Sequence, residues 1–406
     1  MEKSPATELL DLAARAEPIA RRLTLIERGS WPIKFSHVTE SAQPFLAATL
    51  AARIDKTIWI LCPSVHSQEL LHEALLNWHP GALFLPEAEF TAIENVLPDP
   101  EIAAERLALF SLLARDPGPH LIVATRTGLQ QVAPRPGALN TNVFSLRRGE
   151  AHQMHALLEH FTAAGYERVA QITTRGQFAV RGGIVDVYSW QSILPVRIEF
   201  FGDEIESLRE FDIDTQISVG DLNATDILFG AADQQDGTVR DYIAPDHLKI
   251  DIEPEDRSNA EIQMSEGWIE GGREDFKGAF TSAASEVGDF ASGDFALVEA
   301  KRAQFLKRLN EWRKNQSRIA IYFQTEGEIE RFREIIGDQA ALGNVDLIEG
   351  TLTRGFCFPA ANLVVLSGAE LFGRYAIHAR RRLRRAERQR AQIDFSELNE
   401  GDFVVH

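Results

Sequence analysis

Two pairs of turn residues, twenty positions apart, constrain this chain more than any other feature. Gly182-Gly183 and Gly202-Asp203 each join two short runs, 177–181 to 184–188 and 195–201 to 204–211. Two-residue connections rich in glycine close β-hairpins, because glycine reaches positive φ without a steric penalty. Val196, Ile198 and Phe200 alternate with Arg197, Glu199 and Phe201, the period of a strand covered on one face. The middle of the chain therefore reads as antiparallel strands, preceded by a helix over 150–164.

The flanks keep a different rhythm. Residues 1–30 read as an amphipathic helix broken near Pro18, followed by a strand over 34–38 and turn residues 39–41. Pro44 suits the first turn of a helix, where a missing N–H costs nothing, and 45–54 continues it. Strands are expected at 57–62, 82–85 and 120–124, and helices at 67–78 and 101–113. From 297 onward the pattern returns: helix 300–316, strand 318–323, helix 326–336, then strands near 345–348 and 362–366. Such alternation argues for parallel sheet covered by helices. Gly271-Gly272 and the Ser/Gly/Asp-rich stretch 285–294 read as surface loops. The fold class expected is α/β, with an α+β insertion and a further small α/β domain.

Charge narrows the function classes. With 42 basic and 60 acidic residues the formal balance is −18, which excludes nucleic-acid binding by the whole surface. Residues 241–299 carry 15 acidic against 4 basic side chains, whereas 374–390 hold eight arginines and one glutamate. Arg380, Arg381, Arg382, Arg384 and Arg385 are the one candidate patch for phosphates; the plain alternative is a solvated linker. Cys62 and Cys357 lie far apart with no metal-ligand spacing around them, and the scattered histidines complete no site, so no metal is expected. No signal peptide or 18-residue apolar run occurs, and the cysteine usage fits a reducing cytoplasm.

The stretch Thr174–Thr215, TRGQFAVRGGIVDVYSWQSILPVRIEFFGDEIESLREFDIDT, closely resembles the UvrA-binding domain shared by the excision-repair protein UvrB and the transcription-repair coupling factor, Mfd. The flanking EIAAERLALFSLL, HLIVATRTGLQQ and VRDYIAPDHLKIDIEPE resemble the same two families. The resemblance implies docking onto UvrA through Arg168, Arg175, Phe178 and Arg181. Taken alone, those arginines read as ordinary strand-surface charges. Phe178, with Val180, Ile184 and Val187, reads as core.

UvrB resembles this chain but binds ATP through a loop ending Gly-Lys-Thr, and no Gly-Lys dipeptide occurs here. By spacing, Gln43 stands at the lysine position and Pro44 at the threonine position; neither supplies the lost ammonium or hydroxyl. The magnesium-binding Asp-Glu pair reads Ile252-Glu253, with Asp251 one position early and facing the other side of a strand. The resemblance thus points to Mfd, whose N-terminal module is a degenerate UvrB-like ATPase fold.

Under it, the chain divides into a UvrB-like domain 1a (1–133), a UvrA-interaction domain (134–225), domain 1b (226–298), a small α/β domain (299–373) resembling the one Mfd adds, a basic linker (374–397), and at 398–406 the start of an RNA polymerase-interacting domain. ATP, magnesium, DNA and RNA polymerase would be handled by downstream domains, and the UvrA surface would be masked by an intramolecular C-terminal domain. The expected function is a non-enzymatic, cytoplasmic, UvrA-recruiting module of transcription-coupled nucleotide excision repair. The alternative is a divergent UvrB-like ATPase that binds damaged DNA.

Overall fold

The computed structural model describes residues 4–373, except 89–99, 117, 142, 229–235, 256–257, 271–279, 338–341 and 344. Among the described residues the chain forms two compact units, one from 1–54, 66–81 and 250 onward, the other from 55–65 and 82–249.

In the first unit the N-terminal helix is two helices, Pro5–Arg15 and Glu17–Glu27, separated by extended Ala16. Pro18 lies in the first turn of the second helix, where its ring is tolerated. The strand Ile33–Phe35 pairs in parallel with Ile262–Met264, which pairs in parallel with Leu248–Ile252 through Ile250, Asp251 and Ile252. The helix Gln43–Ala51 is buried from Gln43 to Leu50, as its alanine-rich, almost uncharged sequence requires.

The same unit carries a five-stranded sheet in the order Thr281–Ser282, Phe356–Phe358, Leu363–Ser367, Arg318–Phe323, Val345–Glu349. The last three strands are mutually parallel, with the helix Glu326–Ile336 between Arg318–Phe323 and Val345–Glu349 in sequence, and the first two strands pair antiparallel. Its core is aromatic, with Phe295, Phe305, Phe323 and Phe332 fully buried and in mutual ring contact. The expected surface loop at 285–294 is corrected here. Val287, which ends the short helix Ala284–Val287, and Phe290, which lies between that helix and Asp294–Leu297, are buried in that core. The polar composition hid two apolar anchors at a spacing of three.

In the second unit, Ile58–Cys62, Leu83–Phe84 and Leu121–Thr125 form parallel pairs, with Leu121–Thr125 in the centre. The strands Ile58–Cys62 and Leu121–Thr125 are buried throughout, which explains their unbroken apolar runs. The helix Pro100–Arg115 precedes Leu121–Thr125, and the chain enters the hairpin block after Pro136–Thr141. Its six strands lie in the order Ser218–Leu222, Glu204–Phe211, Val196–Phe201, Ile184–Tyr188, Gln177–Arg181, Glu167–Arg168. All pairs are antiparallel except the last. Two strands bracket this block, Val143–Arg147 where the chain enters and Ala224–Leu228 where it leaves; they pair antiparallel along their whole length. The helix preceding the hairpins starts at Met154, not at 150. Ala151 is taken by a β-bridge to Glu204, and the His152 amide bonds to the Asp203 carbonyl at 2.6 Å.

Candidate interaction surface

The pleat of the six-stranded sheet sorts its residues onto two faces. Phe178 opposes Val187, Val180 opposes Val185, and Ile198 opposes Val185 on the other side. These side chains meet Leu157 and Phe161 of the helix Met154–Ala163 in one apolar cluster. Phe178 is 1 % exposed with its ring 5.4 Å from that of Phe161. It stabilises the sheet by burial, and it does not reach the opposite face.

The opposite face holds the polar register. Ala179 pairs with Asp186, which pairs in turn with Arg197, and Arg197 opposes Arg209. Asp186 is 1 % exposed and lies between two guanidinium groups. Arg197 Nε donates to Asp186 Oδ1 at 2.7 Å and its terminal nitrogen to Oδ2 at 3.0 Å, a bidentate fork. Arg181 donates to the same Oδ2 at 2.6 Å while its side chain stays 53 % exposed. The Asp186 bonds hold the Arg197 guanidinium above its ordinary pKa against the cost of burial. The underside of Arg197 lies over the Phe211 ring, 4.5 Å from its centroid. Further along, Arg209 is held by Glu199 at 3.3 Å and Asp221 at 3.4 Å.

Of the residues singled out from the sequence, Arg181 stands on this face. Arg175 lies over the Tyr188 ring at 4.9 Å, and its Nε donates to the Ser192 carbonyl at 3.1 Å. Tyr188 belongs to the same face, being two positions from Asp186. Arg168 is exposed on the short edge strand, with no ion pair among the described residues. Sequence reasoning missed Asp186 and Arg197. The available signal was an aspartate alternating with two valines, Val-Asp-Val, shortly after a glycine turn that follows an arginine. An acid in such a strand needs a cationic partner.

The second group of candidates meets in the first unit. Gln43 is buried, and its Nε2 donates to Glu253 Oε1 at 3.0 Å and to the Val38 carbonyl at 3.4 Å. Glu253 has φ +48° and also accepts from Ser265 Oγ at 2.6 Å and from the Glu266 amide at 2.7 Å. Pro44 and Ile252 are buried beside them. Asp251 points elsewhere, accepting from Ser258 Oγ at 2.5 Å. A cavity of about 280 Å³ lies next to this group, lined by Glu40, Ser41, Pro44, Leu71, Ile252 and Arg354 among others.

Arg380, Arg381, Arg382, Arg384 and Arg385 lie outside the described residues, as does 398–406. Among the described residues no cluster of His, Cys, Asp or Glu is arranged to hold a metal ion, and no helix is long and apolar enough to cross a membrane.

Comparison with known proteins bears on the face just described. Residues 144–231 match the family model of the UvrB interaction domain. The chain is similar to the transcription-repair-coupling factor of Escherichia coli K12, 28% identical over 212 residues, 52% of this chain and 18% of that protein. The one from Haemophilus influenzae Rd is 33% identical over 172 residues, 42% of this chain and 15% of that protein. The one from Bacillus subtilis 168 is 27% identical over 189 residues, 46% and 16%. The chain thus matches less than a fifth of the length of each of these relatives. The strand pair that brackets the hairpins begins at Val143 and ends at Leu228, close to the limits of the family match. The arginine-bearing sheet therefore lies within the residues that match the UvrB interaction domain, in a chain similar to transcription-repair-coupling factors over about half of its own length.

Proposed function

We propose that this chain is a UvrA-recruiting module of transcription-coupled nucleotide excision repair, and that UvrA docks on the Arg181–Asp186–Arg197 face. One observation carries the reading: within the matched domain, a fully buried carboxylate orients two arginines, one of them half exposed. A guanidinium fixed by one fork edge offers its remaining donors at a defined angle to an acceptor on a partner. Arg175, over the Tyr188 ring, adjoins this point; Arg168 is in register with Phe178 and so lies on the other side of the sheet.

The group Gln43, Pro44, Ile252 and Glu253 reads as a nucleotide site that has lost its chemistry. The residues do not fit ATP and magnesium. An amide bonded to Glu253 stands where an ammonium would meet phosphate, and Pro44 has neither a hydroxyl for the metal nor an N–H for the phosphate. Glu40 would repel a phosphate in the adjoining cavity. In this reading the parallel strands are a degenerate ATPase fold kept as a scaffold, interrupted by the interaction domain, and the chain itself is non-catalytic and cytoplasmic. In the whole protein, ATP-driven translocation on DNA and displacement of stalled RNA polymerase belong to domains outside this chain, and a C-terminal domain covers the UvrA surface until the motor engages.

Calorimetric titration of purified UvrA into the chain tests the proposal. Binding at micromolar or tighter affinity is expected, and Arg181→Glu is expected to weaken it by about 1–3 kcal/mol. Absence of heat with the unsubstituted chain would refute it.

A further inference from the structure

We propose that the end of the helix Glu299–Lys314 forms a binding site for two linked phosphate groups, built from Arg313, Lys314 and Arg318. The site lies in the first unit and does not rest on the UvrA-docking reading.

A cavity of about 600 Å³ opens here, lined by Arg313, Lys314, Arg318 and Gly343, with only amide and hydroxyl side chains beside them. Among the described residues no carboxylate and no aromatic ring lines it. In a chain at −18, residues 299–318 carry seven basic against two acidic side chains. Such a cavity selects an anion. With no ring to stack a base and no apolar wall, recognition is confined to phosphate oxygens.

Cations in the last turn of a helix usually have a plainer role: they offset its negative end and donate to its last carbonyls. Here those carbonyls have other donors. The Glu311 carbonyl accepts from the Asn315 amide at 3.1 Å, that of Trp312 from the Ser317 amide at 2.9 Å, and that of Arg313 from the Gln316 amide at 3.0 Å. The Asn315 carbonyl accepts from Asn362 Nδ2 at 2.8 Å. The Glu311 carboxylate, the acid of this turn, is bonded to Arg308 at 2.8 Å. Lys314 is exposed and makes no ion pair among the described residues, so its charge is left for a ligand.

Both guanidinium groups are held in place. Gly343, at φ +50°, lets Arg313 lie against the backbone, since a Cβ there would collide with Arg313 Nη2. Arg313 Nη1 donates to Asn310 Oδ1 at 3.2 Å. Arg318 Nη2 lies 3.0 Å from Glu8 Oε2 and 2.7 Å from Asp346 Oδ2. Those carboxylates offset its charge, so Arg318 contributes donors, and the net positive charge is that of Arg313 and Lys314. Two fixed charges in a cavity too large for one phosphate suit a linked pair. Linked phosphates come free, as in pyrophosphate, or in the backbone of nucleic acid.

The test titrates the chain with pyrophosphate by calorimetry at fixed ionic strength, and lets pyrophosphate compete with a fluorescent single-stranded oligonucleotide. Saturable pyrophosphate binding at submillimolar affinity is expected. Displacement of the oligonucleotide would assign the phosphates to nucleic acid; pyrophosphate binding without such displacement would assign them to a free anion. Lys314→Gln is expected to weaken pyrophosphate binding at least threefold, and Arg313→Gln with Lys314→Gln at least tenfold. Gly343→Ala keeps every charge but displaces Arg313, and should weaken binding at least threefold. Lys307→Gln, on the same helix but outside the cavity, should stay within twofold of the unsubstituted chain. Thermal unfolding verifies that each variant is folded. No saturable pyrophosphate binding at millimolar concentration, or an equal loss in Lys307→Gln and Lys314→Gln, would overturn the site.

Discussion

Asp186→Asn isolates the contribution of the buried carboxylate. Asparagine is nearly isosteric and keeps one acceptor, but it removes the charge that Arg181 and Arg197 share. Arg197 has a side chain only 17 % exposed and loses one of its two short bonds, at 2.7 and 3.0 Å. Removing one partner of a fully buried ion pair costs about 3–5 kcal/mol. Arg181 is half exposed and regains water, which discounts its share. The net loss expected is about 2–3 kcal/mol. If the sheet opens as one cooperative unit, amides of Ile184–Tyr188 and Val196–Phe201 should exchange roughly 30- to 150-fold faster, since each ~1.4 kcal/mol is tenfold. Hydrogen exchange with mass spectrometry reads this directly. Adding Arg197→Met to Asp186→Asn should recover part of the loss, because the uncompensated guanidinium is then gone. Unchanged protection in the single variant, or additive losses in the double, would refute the claim that Asp186 splints the face.

Three other outcomes follow from the geometry. Burial pushes the Glu370 carboxyl up to about 7, opposed by the bond it accepts from the Gly355 amide at 2.7 Å. A folded value above the unfolded one, about 4.3, gives stability that is complete below that value and lost as pH rises through 7. Glu370→Gln should therefore match the unsubstituted chain in urea denaturation near pH 4 and exceed it by about 3 kcal/mol at pH 8; equal midpoints at pH 8 would contradict this. A fluorescent ATP analogue with magnesium should show no saturable binding, and binding at micromolar concentration would overturn the degenerate-site reading. Gly183→Ala would place a Cβ 2.9 Å from the Phe200 carbonyl oxygen, a clash with backbone that should cost about 1–3 kcal/mol in thermal unfolding; an unshifted transition would argue against that close approach.

The hairpins were legible because turn chemistry and alternation agree locally. The strands Gln177–Arg181, Ile184–Tyr188 and Glu204–Phe211 fall where the sequence pattern puts them. The strands without such a signal are those stabilised by distant partners. Val143–Arg147 is fixed by Ala224–Leu228, some eighty residues on, and Ile262–Met264 by two parallel neighbours. The site shows the same division. Arg181 is visible as a charge beside a glycine turn. The shared carboxylate is invisible until the register sets Arg197 opposite Asp186. Likewise Gln43 and Glu253, 210 positions apart, could be flagged separately, but only the fold joins them in one hydrogen bond.

The charge arithmetic acquires a different sense on this sheet. The arginines of the polar face are largely matched by its own acids: Arg181 and Arg197 by Asp186, and Arg209 by Glu199 and Asp221. The face therefore lacks the uncompensated positive field that attracts a polyanion at long range, and the chain as a whole is at −18. What it offers is direction, since each guanidinium is pinned on one edge and its free donors aim at a fixed spot. Such a surface gains little from any acidic molecule that cannot place an acceptor there. It discriminates by geometry, and every paired arginine that keeps its own carboxylate on docking avoids a desolvation cost.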